Sequence, residues 1–310
     1  MAEMGPREYA NKYWDMDVAI INDDNDFVRW DKVAFNKYRL HMGWLQNPVV
    51  YPPGLMDFLN AIDTYAAKLF KQDKRLDLRV KNVWGETNIY SIATMESFKK
   101  LHPRATAAFS GKGSPEDVQL TLQLAARCNV APEGLQQYCD KKVDTYARLG
   151  LDCNGFVGNY LQYRSDKTKW DWGGPKKQNL ASTGVKDIVD SLGTKPITKV
   201  DDMINSRIFV LGLVDTNTRT VINQFSSSGG VAHIVITEAI NWGSKAVYPP
   251  VPKQYLNGRY IHYSTIESTP AVGLSASIYG VLELAGDGVA TVWRGRSELG
   301  VMNVKIYPMI

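Results

Sequence analysis

The last third of the chain carries the pattern that most limits its fold. From Arg207 onward, short runs rich in β-branched and apolar residues alternate with turn residues. Turns such as Asp215–Thr218 and Ala285–Gly288 are typical of hairpins between antiparallel strands. The predicted strands are Ile208–Val214, Ala232–Thr237, Arg259–Tyr263, Ser277–Leu284, Val289–Trp293 and Val301–Tyr307. Helical patterns come before these strands, and that order predicts an α+β domain.

Apolar spacing and capping residues predict the helices upstream of the strands. Residues from Leu55 to Leu69 place apolar side chains at helical spacing. Ser114 is a predicted N-cap, with Pro115 at the first helical position. Further helices are predicted from Pro132 towards Gly150, from Cys153 onward and at 184–192.

The turn-rich stretch Ser110–Pro115 indicates a boundary between two regions. We therefore expect a helix-rich region of unknown role at 1–110 and a catalytic domain at 111–310. The apolar face between Leu55 and Leu69 needs a partner to bury it, so we expect the first region to pack on the second.

Cys153 directly follows Asp152 and begins a helical pattern. The positive end of a helix dipole favours the thiolate, which is the nucleophilic form of cysteine. Gly155 and Gly158 share one helical face and would let another backbone approach closely. A single cysteine is more often a small buried apolar residue, so a catalytic interpretation requires a histidine partner.

Two of the four histidines, His233 and His262, occupy strand-like segments downstream of Cys153. His233 follows a Ser/Gly-rich loop, and His262 follows an Asn-Gly turn signal. A nucleophile at a helix start, a base on one strand and an orienting group on the next form a Cys-His-X triad. The order of the segments predicts Cys153, His233 and His262 as that triad.

These three segments resemble the motifs of the NlpC-type papain-like cysteine peptidases, which cut bacterial cell-wall peptides. LDCNGFV around Cys153 resembles the family's Asp-Cys-Ser-Gly-Phe/Leu-Val motif, GGVAHIVI its Gly-His-Val-Gly-Ile-Tyr strand, and GRYIHYS its Ile-His-Ala-Ser strand. The resemblance implies a papain-like NlpC-type α+β fold, in which N-terminal helices pack on an antiparallel sheet of about six strands. It also implies amide hydrolysis without a metal or other cofactor.

The chain departs from the family pattern in its substrate-binding segments. The Pro-Tyr-x-Trp-Gly-Gly stretch that precedes the cysteine in the family is missing, and the chain's Trp-Gly-Gly, with Trp170 and Trp172, follows Cys153 instead. Tyr138 or Tyr146 could supply the tyrosine that the family places near its oxyanion site. We consider Tyr146, Trp170 and Trp172 as substrate-binding candidates, although the tryptophans fill a core equally well.

Composition excludes several other kinds of site. Three cysteines without a CxxC pair indicate neither a disulfide framework nor a zinc site. The net charge of +4 comes without a Lys/Arg run, so no nucleic-acid partner is predicted. The first residues lack the pattern of a signal peptide, and no segment is apolar enough to span a membrane. We expect a protein that is cytoplasmic until phage lysis or a non-classical export route releases it.

Two enzymatic functions and one non-enzymatic function remain open. The first is an endopeptidase or amidase acting on peptidoglycan peptides, as a phage enzyme or an interbacterial toxin with an inhibitor or immunity protein as partner. The second uses the same triad for acyl transfer, deamidation or transglutamination on a protein or lipid. The third is a binding or structural protein in which the triad is accidental.

Overall fold

The chain divides into two compact units. The computed structural model describes residues 4–40, 51–168, 180–203, 208–224, 231–238, 261–294 and 300–309, with backbone only at 166–168, 200 and 261–262. The amino-terminal unit comprises Glu8–Gly155 and Thr269–Leu274, and the barrel unit comprises Met1–Arg7, Phe156–Ser268 and Ser275–Ile310. Position 111, where turn residues predict a boundary, lies inside the amino-terminal unit.

Helices and strands are mixed in the first part of the chain, and the last six described elements are all strands. The described helices are α1 (Pro6–Trp14), α2 (Leu55–Phe70), α3 (Met95–Lys99), α4 (His102–Phe109), α5 (Pro115–Arg127), α6 (Leu135–Asp140), α7 (Cys153–Thr168) and α8 (Val185–Ser191). The described strands are β1 (Met16–Ile21), β2 (Phe27–Val33), β3 (Leu76–Lys81), β4 (Thr87–Ile92), β5 (Phe209–Leu213), β6 (Ile234–Thr237), β7 (Ile261–Thr269), β8 (Gly273–Leu284), β9 (Val289–Arg294) and β10 (Val301–Pro308).

The amino-terminal unit combines helices with two antiparallel hairpins, β1–β2 and β3–β4. Helix α5 packs against both β1 and β3. Its start is fixed by a capping box, in which Ser114 accepts from the Asp117 N–H while the Asp117 carboxylate accepts from the Ser114 N–H. Helix α2 buries an apolar face that includes Phe58 and Ile62. Both helices confirm their sequence predictions.

The barrel unit closes six strands into one barrel, in the order β10-β5-β6-β7-β8-β9. The α+β class is confirmed, and each of the six predicted strands is present, but closure into a barrel was not predicted. Strand β7 also continues to Thr269, beyond the predicted end at Tyr263. The papain-like NlpC-type arrangement within the α+β class stays a prediction.

The interior of the barrel is apolar over most of its length. Side chains alternate between the two faces of a strand, and the inward residues form one buried cluster with the segments before β5. The cluster contains Ile197, Met203, Phe209, Leu211, Val235, Tyr263, Tyr279, Val281, Ala290, Val292, Val304 and Ile306. The same alternation places Glu267 of β7 on the face of Tyr263, and Arg294 of β9 on the face of Val292.

None of the helices within the described ranges combines the length and the apolar character that crossing a membrane requires.

Candidate active site

The start of helix α7 is held by Asp152, the residue before Cys153. The Asp152 Oδ1 accepts a hydrogen bond from the Gly155 N–H at 2.5 Å, which is the geometry of an N-cap. Its Oδ2 forms an ion pair with the Lys112 ammonium. Burial raises the pKa of Asp152, while Lys112 and the Gly155 N–H oppose that shift. This buried carboxylate, held by the Gly155 N–H and the Lys112 ammonium, fixes the position of Cys153 as the first residue of the helix.

Cys153 is mostly covered, with 6% of its surface exposed. Its Sγ lies 3.5 Å from the Asn154 Oδ1. The backbone N–H groups in the first turn of a helix have no partner within the helix. The Cys153 N–H is therefore suited to hold a developing oxyanion beside the sulfur.

The two glycines of α7 allow the close backbone approach that the sequence predicts. A Cβ at Gly155 would lie 1.9 Å from the Gly111 carbonyl oxygen, and a Cβ at Gly158 would lie 2.4 Å from the Ala181 backbone nitrogen. Any larger residue would force backbone apart at both positions. Helix α7 begins in the amino-terminal unit and continues in the barrel unit.

Tyr38 is the aromatic residue beside the Cys153 segment. The Leu151 N–H donates to the Lys37 carbonyl at 2.9 Å, and the Arg39 N–H donates to the Leu151 carbonyl at 3.3 Å. These bonds place residue 38 alongside the chain that leads into Cys153. Burial raises the pKa of Tyr38, and negative charge at Cys153 raises it further. Tyr38 therefore stays protonated and able to donate a hydrogen bond.

The tyrosines named from the sequence take different positions. The ring of Tyr146 packs edge-on against Tyr38, with centroids 5.4 Å apart. Tyr138 is buried under the Arg148 guanidinium, 4.2 Å from its ring centroid. Sequence reasoning missed Tyr38 because its link to Leu151 is a long-range backbone pairing that leaves no local signal.

His233 immediately precedes strand β6 and faces a carboxylate. Its Nε2 lies 3.2 Å from the Glu267 Oε2. The His233 side chain is 18% exposed, whereas that of Glu267 is 0% exposed. The His233 carbonyl also accepts the Leu213 N–H at 2.9 Å, which anchors the residue to β5.

Each oxygen of Glu267 is bonded to groups from other parts of the barrel. Oε1 lies 2.9 Å from the Arg294 Nε and 2.6 Å from its Nη2, while Oε2 accepts the Tyr279 hydroxyl at 2.8 Å as well as facing His233. Burial on its own would raise the pKa of Glu267, but the contacts with His233 and Arg294 outweigh it and lower the pKa to about 2. Glu267 is therefore an anion at neutral pH.

Known proteins provide no further guide to this site. No protein-family model, curated protein or solved structure matches the chain. Its chemistry must therefore be inferred from its own residues. Within the described ranges, no group of three or more His, Cys, Asp or Glu side chains is placed to hold a metal ion.

The remaining sequence-predicted residues cannot be assigned contacts. His262 lies on β7, but its side chain is outside the described residues, as are Trp170 and Trp172. Cys153 belongs to the amino-terminal unit and His233 to the barrel unit. The Cys153–His233–His262 triad therefore stays a prediction.

The His233–Glu267 contact determines what the imidazole can do. An ionised carboxylate only accepts hydrogen bonds, so the proton on a neutral His233 ring belongs on Nε2. The other nitrogen, Nδ1, is then the one that can accept a proton. Glu267 holds the ring in one tautomer and stabilises the imidazolium once it forms.

Glu267 was also missed by sequence reasoning, although a signal was present. It is the only acidic residue in the run Tyr263-Ser-Thr-Ile-Glu-Ser-Thr269. An acid on the inward face of a strand must be paired, since an unpaired buried charge is strongly unfavourable. Ending the predicted strand at Tyr263 hid this conflict.

Proposed function

We propose that this protein is a cysteine-dependent amide hydrolase in which Cys153 is the nucleophile, His233 the general base and Glu267 the residue that orients His233. The observation that carries the proposal is the contact of the His233 Nε2 with a buried, ionised carboxylate. That contact prepares Nδ1 for proton transfer, and a ring used only for packing has no need of it.

The reaction follows from these roles. His233 Nδ1 takes the proton of Cys153, and the thiolate attacks an amide carbonyl carbon to give a tetrahedral oxyanion. The Cys153 N–H and the Tyr38 hydroxyl donate to that oxyanion. The intermediate expels the amine, which takes the proton from His233, and leaves an acyl-thioester on Cys153. A water molecule, deprotonated by His233, then releases the acid and restores the thiol.

This mechanism requires the Cys153 sulfur and the His233 ring to meet. The order of the three motifs and their resemblance to the NlpC-type peptidases support that requirement. The same resemblance favours peptides of peptidoglycan as substrate, and an inhibitor or immunity protein as partner if the enzyme is a toxin. The orienting role is assigned to Glu267 because its contact with His233 is direct.

The test combines labelling with substrate analysis. Iodoacetamide should label Cys153 faster than Cys128 or Cys139, because burial raises the pKa of Cys128 to about 12 and also raises that of Cys139. Wild-type protein incubated with purified peptidoglycan should release fragments identifiable by mass, and Cys153→Ala should release none. A loss of about 10⁴-fold or more is expected for removal of a nucleophile.

Variants of the orienting residue separate the two candidates for that role. Glu267→Gln should lower kcat strongly, whereas His262→Gln should affect it less. If His262→Gln lowered kcat more than Glu267→Gln, His262 would be the orienting residue.

If Cys153 labels selectively but peptidoglycan stays intact, while amines are incorporated into a glutamine-containing protein, the enzyme is the acyl transferase. Slow labelling of Cys153 together with no activity on either substrate would refute the proposal.

A further inference from the structure

Arg294 makes the shortest contact to Glu267, at 2.6 Å. It is the last residue of β9, and its side chain is 5% exposed. Two of its nitrogens lie within 2.9 Å of the Glu267 Oε1, which leaves Oε2 for His233 and Tyr279. The Nε donates a hydrogen bond to that oxygen, and the positive charge of the guanidinium strengthens the bond.

Within the described parts of β5 to β10, Glu267 and Arg294 are the only buried residues with a formal charge. Glu267 is also the only acid with which Arg294 forms an ion pair in the described residues. Among the described residues, the titratable groups that contact Glu267 are His233 before β6, Tyr279 on β8 and Arg294 itself.

Arg294 would be costly to retain for stability alone. Two charges lose most of their hydration when they enter a barrel interior, and a well-packed apolar pair of similar volume is often as stable or more so. This pair does have an additional consequence. The carboxylate that it fixes faces His233, which among the described residues is the only histidine of the barrel unit with a described side chain.

We propose that Arg294 is a positioning residue of the reaction, acting through Glu267 to set the orientation and the protonation of His233. The inference rests on the proposed function. The Glu267 carboxylate favours the imidazolium form of His233, while the Arg294 guanidinium opposes it from the far side of the carboxylate. The two residues should therefore shift the titration of His233 in opposite directions.

Proton NMR of the histidine rings tests this directly, since the chain has four histidines and His233→Gln identifies the relevant signal. Arg294→Met should move the titration midpoint of His233 up, and Glu267→Gln should move it down, each by about one pH unit. Arg294→Lys keeps the charge and should leave the midpoint near that of the wild type. Arg219→Met is the matched control, because Arg219 pairs with Asp287 at 2.6 Å on the surface of the same unit.

Arg294→Met could fail to fold, since it leaves Glu267 buried and unpaired. The double variant Arg294→Met with Glu267→Gln removes both charges and avoids that problem. Its kcat should lie close to that of Glu267→Gln, because Arg294 orients the ring only through the carboxylate. A kcat that falls further when Arg294 is replaced in the absence of Glu267 would overturn the inference.

Activity measurements separate this inference from the proposed function. Arg294→Met should lower kcat by about 10²-fold, and the acidic limb of its pH profile should move up with the His233 midpoint, because a general base must be unprotonated to act. If an active enzyme shows neither shift, Arg294 has only a structural role and the inference fails. If the wild type shows no Cys153-dependent activity, the proposed function fails, and the ring titration still reports whether Arg294 acts on His233.

Discussion

The side-chain amide of Gln119 pairs with the peptide group of Lys81 as a neighbouring strand would. Its Oε1 accepts the Lys81 N–H at 2.9 Å, and its Nε2 donates to the Lys81 carbonyl at 2.8 Å. One turn further along α5, Gln123 bonds Arg79 in the same way, at 2.8 and 2.6 Å. The helix thereby satisfies backbone groups that an edge strand would leave unpaired.

Replacing Gln119 by Met should destabilise the amino-terminal unit. The substitution keeps most of the side-chain volume but leaves the N–H and the carbonyl of Lys81 without partners, at a cost of about 1–3 kcal/mol. Urea unfolding followed by circular dichroism measures the change. Gln72→Met is the control, since Gln72 is exposed and its substitution should alter the free energy of unfolding by no more than about 0.5 kcal/mol. Equal stability of the two variants would contradict the role of Gln119.

Lys112 should be essential to the start of helix α7. Lys112→Met leaves the Asp152 carboxylate buried without its counter-charge, which costs about 3–5 kcal/mol. Adding Asp152→Asn should restore most of that stability, because a neutral amide oxygen still accepts the Gly155 N–H. Thermal unfolding of the single and double variants measures the effect. A double variant no more stable than Lys112→Met would show that the loss does not arise from the unpaired charge.

The folded protein should lose stability in acid because the Glu267 carboxylate becomes protonated. Its pKa is about 2 in the folded protein against an ordinary value of 4.5, so the ionised group stabilises the folded state above about pH 4.5. That contribution, about 3 kcal/mol for a shift of this size, is lost as the pH falls from about 4.5 to about 2.

Denaturation of Glu267→Gln at several pH values checks this expectation. The variant should be less stable than the wild type at pH 6, and the difference should shrink steadily towards pH 2. Glu283→Gln is the control, since Glu283 lies on a strand of the same barrel but is exposed. A difference between wild type and Glu267→Gln that stayed constant with pH would mean that the ionisation of Glu267 is not responsible.

Tyr38→Phe should slow the reaction without unfolding the protein. The phenylalanine ring keeps the packing against Tyr146, while the oxyanion loses one donor, for which a fall in kcat of about 10²-fold is expected. Tyr138→Phe should leave kcat unchanged, because Tyr138 is covered by Arg148. The kcat values of both variants on the same substrate test this expectation. If Tyr38→Phe turns over as fast as Tyr138→Phe, Tyr38 has no part in catalysis.

Local patterns in the sequence predicted the elements that depend on local physics. The capping box of α5 was visible because Ser114, Pro115 and Asp117 satisfy the first turn from within a few residues. The strands were visible because alternation and turn residues act over short distances. Cys153 at a helix start was predicted for the same reason, and His233 was predicted inside a strand that begins one residue later in the structure, at Ile234.

The tertiary structure alone decided what surrounds those residues. Glu267 is tolerated inside the barrel because Arg294 and Tyr279 reach it from two other strands, and no local pattern contains those partners. Tyr38 lies beside the Cys153 segment through backbone bonds with Leu151 that join distant parts of the chain. The sequence could therefore place Cys153 and His233 on or beside their elements. It could not name the carboxylate that faces His233, because only closure of the barrel brings that charge and its counter-charge together.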